Sequence, residues 1–252
     1  MSEFQTESQF ADVWMKVQSW QGWLRPGQAE RLWEAARRVP DGGRIVEIGS
    51  FHGKSAAILA LGCTESVEVC AIDPHAGDDR SPGAWTGSAD EGSADNLAFF
   101  ANLNSVGVGQ RIKHIREFSQ KAHDMVDGPI NLLYVDGAHG FRPASDDLTT
   151  WGRRVELGGE MYVHDVYNSF WVTLAIIRHL GASRRWRYIG RESSMAMYRR
   201  EQLGLFGALS NLSRHLFSIP VLVRSVLAKG LRAMRIEPLG RIIGHKPGQG
   251  SY

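Results

Sequence analysis

The chain predicts an α/β fold built on a mostly parallel, seven-stranded sheet, and three observations carry that expectation. From Arg44 onward, short apolar runs at 44–49, 67–72, 111–115, 130–135 and 159–164 alternate with stretches of helical periodicity. Such alternation implies parallel β-α-β units with right-handed crossovers. A turn containing Gly49 and Gly53 joins the first run to an alanine-rich helix, and the last two runs, near 186–190 and 194–199, are close enough to form an antiparallel hairpin at one end of the sheet.

The remaining elements follow in order. Phe10, Val13, Trp14 and Val17 fall at helical spacing, and Ala29, Leu32, Trp33 and Ala36 do so again after Pro26-Gly27. Residues 1–40 are therefore read as two N-terminal helices capping the site, and 41–200 as the catalytic domain. Residues 74–95 gather Pro, Gly, Asp and Ser around a lone Trp85, the composition of a long loop or lid following the second strand. Residues 116–122 are expected to open a helix capped by Ser119. Asp146 and Asp147 fall within the helix between the fourth and fifth strands and are expected to be solvated or paired with Arg153 or Arg154.

Residues 201–252 form a basic tail, with seven Lys/Arg against Glu201 and Glu237, leaving 22 bases against 25 acids before it. After Pro220, residues Val223, Val226, Leu227, Leu231 and Met234 share one helical face, and Arg224, Arg232 and Arg235 another. Such a helix either lies peripherally on an anionic membrane surface or packs on the domain or on a second copy in a homo-oligomer.

Composition narrows the class. A chain of 252 residues with 43% hydrophobic and 22% charged residues holds one globular domain with an ample core. Cys63 and Cys70 lack metal-type spacing and form no disulfide framework, and neither a leader nor a membrane-length apolar run is present, so a cytoplasmic location is expected. No recognition motif accompanies the basic charge, so nucleic acid is not an expected partner.

The chemistry begins at 44–55, Arg-Ile-Val-Glu-Ile-Gly-Ser-Phe-His-Gly-Lys-Ser. A strand, tight turn and helix start offer free N–H groups to a polar ligand. The dinucleotide fingerprint fails because Phe51 stands where its second glycine belongs, and the phosphate loop fails because only three residues separate Gly49 from Gly53. What remains is Glu-x-Gly-x-x-x-Gly. Asp73 ends the second strand, where an acid accepts hydrogen bonds from ribose hydroxyls. Asp136 and His139 follow the fourth strand and His164-Asp165 the fifth, so two carboxylates and imidazoles converge at the carboxyl edge of the sheet, a donor set suited to Mg²⁺ or Mn²⁺.

The first turn resembles the opening motif of class I S-adenosylmethionine (SAM) methyltransferases. With Ile-Asp-Pro-His, Val-Asp-Gly-x-His, Asp-Asp-Leu, Gly-Gly and His-Asp downstream, residues 25–200 resemble the metal-dependent sugar and macrolide O-methyltransferases and the CmcI-like branch. That resemblance implies a Rossmann-like class I methyltransferase fold with helices on both faces. It also implies SAM held by Glu47, Gly49, Ser50, Gly53, Ser55, Asp73, Ser119 (at an adenine edge) and Asp136, metal held by Asp136, His164 and Asp165, and His139 as catalytic base. His164 stands where that branch usually has an acid. The acceptor is expected to be a hydroxyl of a small molecule, glycan or glycolipid. A metal-dependent hydroxylase or hydrolase, and a non-catalytic membrane-associated adaptor, stand as the alternatives.

Overall fold

The computed structural model describes residues 3–77 and 88–233. In chain order the elements are α1 (Glu3–Val17), α2 (Pro26–Arg37), β1 (Arg44–Ile48), α3 (Lys54–Gly62), β2 (Glu68–Ile72), α4 (Ala89–Ser105), β3 (Ile112–Ile115), β4 (Ile130–Val135), α5 (Phe141–Asp146), β5 (Val155–Val163), α6 (Phe170–Ile176), β6 (Trp186–Glu192), β7 (Met195–Arg200), α7 (Leu205–Phe217) and α8 (Ile219–Ala233). The seven strands lie in the order β3-β2-β1-β4-β5-β7-β6. The first five are parallel, and β7 pairs antiparallel with both β5 and β6. This is the Rossmann-like arrangement expected of the sequence. The sheet order reverses between β1 and β4, and the carboxyl ends of strands beside such a switch point are where ligands bind in open α/β sheets.

Burial follows the two-residue period of the strands. Ile45, Val69, Leu132 and Tyr134 face one layer with α1 to α4, while Val46, Cys70, Leu133 and Val135 face the other with Trp151, Val172 and Ile176. Burying one such aliphatic side chain contributes about 1.5–3 kcal/mol, and these two cores fix which strand ends meet. Among the described residues no helix is long and apolar enough to cross a membrane.

Several local expectations change. Residues 89–95 belong to α4, whose Ser88 cap accepts the Glu91 N–H at 3.1 Å, so the loop after β2 ends earlier than 95; its centre, with Trp85, lies outside the described residues. Residues 116–122 form turns rather than a helix. Asp147 starts a π-helical turn, Asp147–Trp151, and is buried rather than solvated. β5 begins at Val155, four residues before the expected start. The inward side of α8 carries Leu222, Ser225 and Lys229, so Val223, Val226 and Leu227 do not pack on the domain. Met234 and Arg235 lie outside the described residues.

Candidate cofactor and acceptor site

Strand ends at the switch point are stepped into register by backbone bonds: Gly49 N–H to Ile72 O (2.9 Å), Asp136 N–H to Ile48 O (2.8 Å) and His164 N–H to Val135 O (2.9 Å). The turns after β1, β4 and β5 therefore share one edge. Five described non-glycine residues have φ in the left-handed region, namely Phe51, His75, Asp165, Tyr167 and Ser193. All stand on turns at that edge. Strain of this kind, of order 1–3 kcal/mol each, persists where the surroundings over-determine a functional geometry.

The β1 turn is compact. Gly53 donates to Ser50 O at 2.7 Å, and both Gly49 (φ +86°) and Gly53 (φ +81°) need the left-handed region. Asp73 fastens the turn: Oδ2 accepts the N–H groups of Ser50 and Phe51, both at 2.8 Å, and Oδ1 accepts that of His75 at 2.8 Å. With Oδ2 accepting two N–H groups and Oδ1 one, Oδ1 retains a lone pair for a ribose hydroxyl. Lys54, which invited a phosphate-loop reading, instead reaches Gln18 O (3.3 Å) beneath the N-terminal segment.

Glu47 is the most informative group here. It is fully buried, and neither carboxylate oxygen has a hydrogen-bond partner of adequate geometry. Burial, only partly offset by the nearby Ser55 and Ser50 hydroxyls, pushes its carboxyl up to about 8. A cationic amine such as that of SAM's methionine arm would supply the missing partner and hold Glu47 ionised. Glu47, Gly49, Ser50, Gly53 and Ser55 thus belong to one cradle that fits the cofactor.

The second cluster gathers Asp136, His164 and Asp165, whose ligand atoms lie within 4.8 Å of one another. His164 Nδ1 is 2.9 Å from Asp136 Oδ1 and 3.6 Å from Asp165 Oδ2, without hydrogen-bond alignment to either. Its other ring nitrogen faces Gln28 Oε1 at 3.4 Å, and Gln28 Nε2 donates to Ser194 Oγ at 3.1 Å, which orients the amide. With a metal bound, an Nε2 proton shared with Gln28 would free the Nδ1 lone pair for the ion. Burial opposes the imidazolium, but Asp136 and Asp165 outweigh it and raise the His164 pKa well above its ordinary value. Asp165 shows the converse: burial is overcome by the His139 hydrogen bond and by the nearby His164 imidazole, and its pKa falls well below the usual range. Tyr134 donates to Asp136 Oδ2 at 2.9 Å, and Asn168 to Asp165 Oδ1 at 2.9 Å. His139 Nε2 meets Asp165 Oδ2 at 2.6 Å.

Ser119 stands beside this cluster without capping any helix. Its hydroxyl donates to Asp147 Oδ1 at 2.5 Å, and its carbonyl accepts Trp151 Nε1 at 3.2 Å. A Cβ on Gly137 would meet Asp147 Oδ2 at 3.4 Å, so this carboxyl lies just behind the turn bearing Asp136. Burial, with Asp146 adding to it and the Ser119 bond opposing, raises Asp147 to about 7. The native protein therefore keeps this proton where the unfolded chain has lost it, near pH 4. The stability this gives is complete below about pH 4 and is lost as pH rises through about 7. Asp147→Asn should remove that slope: the urea-derived stability of wild type relative to the variant is expected to fall by roughly 2–4 kcal/mol between pH 4 and pH 8.

Gln28, Tyr134, Asp147 and Asn168 were not among the expected site residues. Tyr134 was legible, two residues before Asp136 on the same face of β4. Gln28 carries no local signal, since a glutamine in an amphipathic helix reads as solvated. A groove of about 350 Å³ near Arg38, Asn131 and Glu156 lies at the opposite edge of the sheet, and its Arg38 and Arg199 are each already paired with Glu160 at 2.7 Å.

Residues 46–166 match a family model described as a methyltransferase domain. Three solved structures are similar in fold. TomG of Streptomyces achromogenes, an O-methyltransferase involved in tomaymycin synthesis and determined in complex with SAM, is 16% identical with a TM-score of 0.53, covering 81% of this chain and 92% of that one. The O-methyltransferase from Bacillus cereus in complex with SAH is 12% identical, TM-score 0.55, over 80% and 93%. The O-methyltransferase NovP is 15% identical, TM-score 0.55, over 69% and 80%. The methyltransferase-domain match over residues 46–166 and the fold shared with O-methyltransferases solved with SAM or SAH support a SAM-dependent methyltransferase.

Proposed function

We propose that the protein is an O-methyltransferase that moves the methyl group of SAM to a hydroxyl of a sugar, glycolipid or related secondary metabolite, with His139 as base and Mg²⁺ or Mn²⁺ at Asp136, His164 and Asp165. The observation that carries this reading is the convergence of those three ligands within 4.8 Å, with His139 bonded to Asp165 at 2.6 Å. SAM supplies a methyl on a sulfonium, already a good leaving centre, so the acceptor must supply nucleophilicity. A divalent ion at the cluster would lower the pKa of an adjacent hydroxyl. His139 would take its proton as the C–O bond forms, with Asp165 stabilising the resulting imidazolium. Glu47 would hold the methionine amine, Asp73 the ribose, and Ser119, fixed by Asp147, an adenine edge.

One feature favours a second reading. Asp165 Oδ2 is already bonded to His139 and Oδ1 to Asn168. Asp165 and His139 could therefore act as a metal-free base dyad. Incubation with methyl-labelled SAM and a small-molecule and lipid extract, with and without chelator, separates the two by mass identification of products. Labelled O-methyl products that disappear with chelator and return with Mg²⁺ support the metal-assisted route; products indifferent to chelator support the dyad. Label on nitrogen or carbon alone would overturn the O-methyl assignment.

A further inference from the structure

The C-terminal helices are built with their polarity reversed. The inward side of α7 carries Asn211 and His215, both buried. Asn211 Oδ1 accepts the Tyr188 N–H at 3.0 Å and its amide donates to Trp186 O, sealing the edge strand β6; His215 bonds the Tyr167 and Tyr198 hydroxyls at 2.6 and 3.3 Å. The outward side carries Phe206 and Phe217, 88% and 85% exposed, with Leu205, Leu209 and Leu216 at least half exposed. α8 repeats the pattern. Ser225 and Lys229 donate to Asn168 at 3.0 Å, while Val223 and Leu227 are half exposed. Of the nineteen large hydrophobic residues exposed in the described chain, nine fall between 205 and 227. A soluble surface does not concentrate apolar side chains this way without a partner.

The charge pattern selects the partner. Arg214 and Arg224 are exposed within this stretch, and from Gln202 to Tyr252 the sequence has seven Lys/Arg and a single acid, Glu237. Two copies brought together through such segments would repel one another, whereas an anionic bilayer attracts them and offers apolar depth for aromatic side chains. We propose that α7 and α8 form a peripheral docking surface for an anionic lipid bilayer. This surface is independent of which acceptor the enzyme methylates.

Co-sedimentation of the full chain with phosphatidylcholine vesicles, and with vesicles containing about a third phosphatidylglycerol, tests the surface. Partition is expected to be at least about tenfold higher on the anionic vesicles and to weaken as salt screens the charge. The double variant Phe206→Ser/Phe217→Ser should lose about tenfold in partition with an unchanged melting temperature, since both side chains are solvent-facing. Equal partition onto neutral and anionic vesicles, or full binding by the folded double variant, would overturn the proposal. So would a dimer in sedimentation velocity that the same double variant dissociates without any vesicle binding, an outcome that assigns the face to a second copy.

Discussion

Replacing His139 by alanine is expected to lower methyl transfer by about 10²–10⁴-fold while leaving SAM affinity nearly unchanged, the range general-base removal typically covers. The imidazole is 38% exposed, so truncation leaves no sealed cavity and the fold should persist. Its Nε2 meets Asp165 Oδ2 at 2.6 Å, which orients the ring at the edge of the cluster. The proposed cradle for SAM at Glu47 and Asp73 lies on the β1 and β2 turns, on separate backbone from this pair, so titration calorimetry with SAM should separate binding from turnover. Turnover within tenfold of wild type would remove His139 from the mechanism. Asp165→Asn sharpens the result. In a metal-free dyad it should mimic the His139 loss through the wrong tautomer. With a metal it should additionally weaken the Mg²⁺ dependence.

The second large effect is structural. Gly49→Ala places a Cβ 2.1 Å from Asp136 O and 2.6 Å from Asp136 C, at φ +86°. Both offending atoms are backbone, so no rotamer change relieves the clash; the β1 and β4 turns must part, carrying Asp136 away from His164. A loss of about 3 kcal/mol or more is expected, or a melting temperature lower by roughly 6–12 °C for a chain of this size, with SAM binding lost as well. Gly42→Ala is the control. Its φ is also positive, at +75°, but nothing stands within 4 Å of the added Cβ, so only the conformational penalty of about 1–2 kcal/mol remains. If calorimetry shows the two variants equally stable, the close approach of the turns does not hold the site together.

The legible part of the molecule is the part governed by local periodicity. Strands at 44–48, 68–72, 112–115 and 130–135 fall within a residue of the apolar runs that mark them. The glycines mark the β1 turn because only they adopt its φ without penalty. The segment 116–122 shows the opposite case. Glu117 and Lys121, 3.9 Å apart at helical spacing, are a local helix signal, but the Ser119 carbonyl that a helix would use for its i+4 bond is taken by Trp151 Nε1. Asp147 was misjudged for the same reason: the group that buries it, Ser119, lies 28 residues earlier in the chain.

By itself, then, the sequence determined the sheet and the residue types delivered to its carboxyl edge by Glu47, Asp73, Asp136, His139 and His164-Asp165. These depend on backbone geometry and the alternation of side chains, which are written within a few residues of each position. Only the tertiary structure decided how those groups share their bonds. It places Asp165 on His139 and leaves His164 Nδ1 facing two carboxylates, it brings Gln28 across from α2, and it leaves Glu47 buried without a partner. Each outcome is a competition between residues far apart in sequence for a limited number of donors and acceptors in a site with little water, and no local pattern records who wins it.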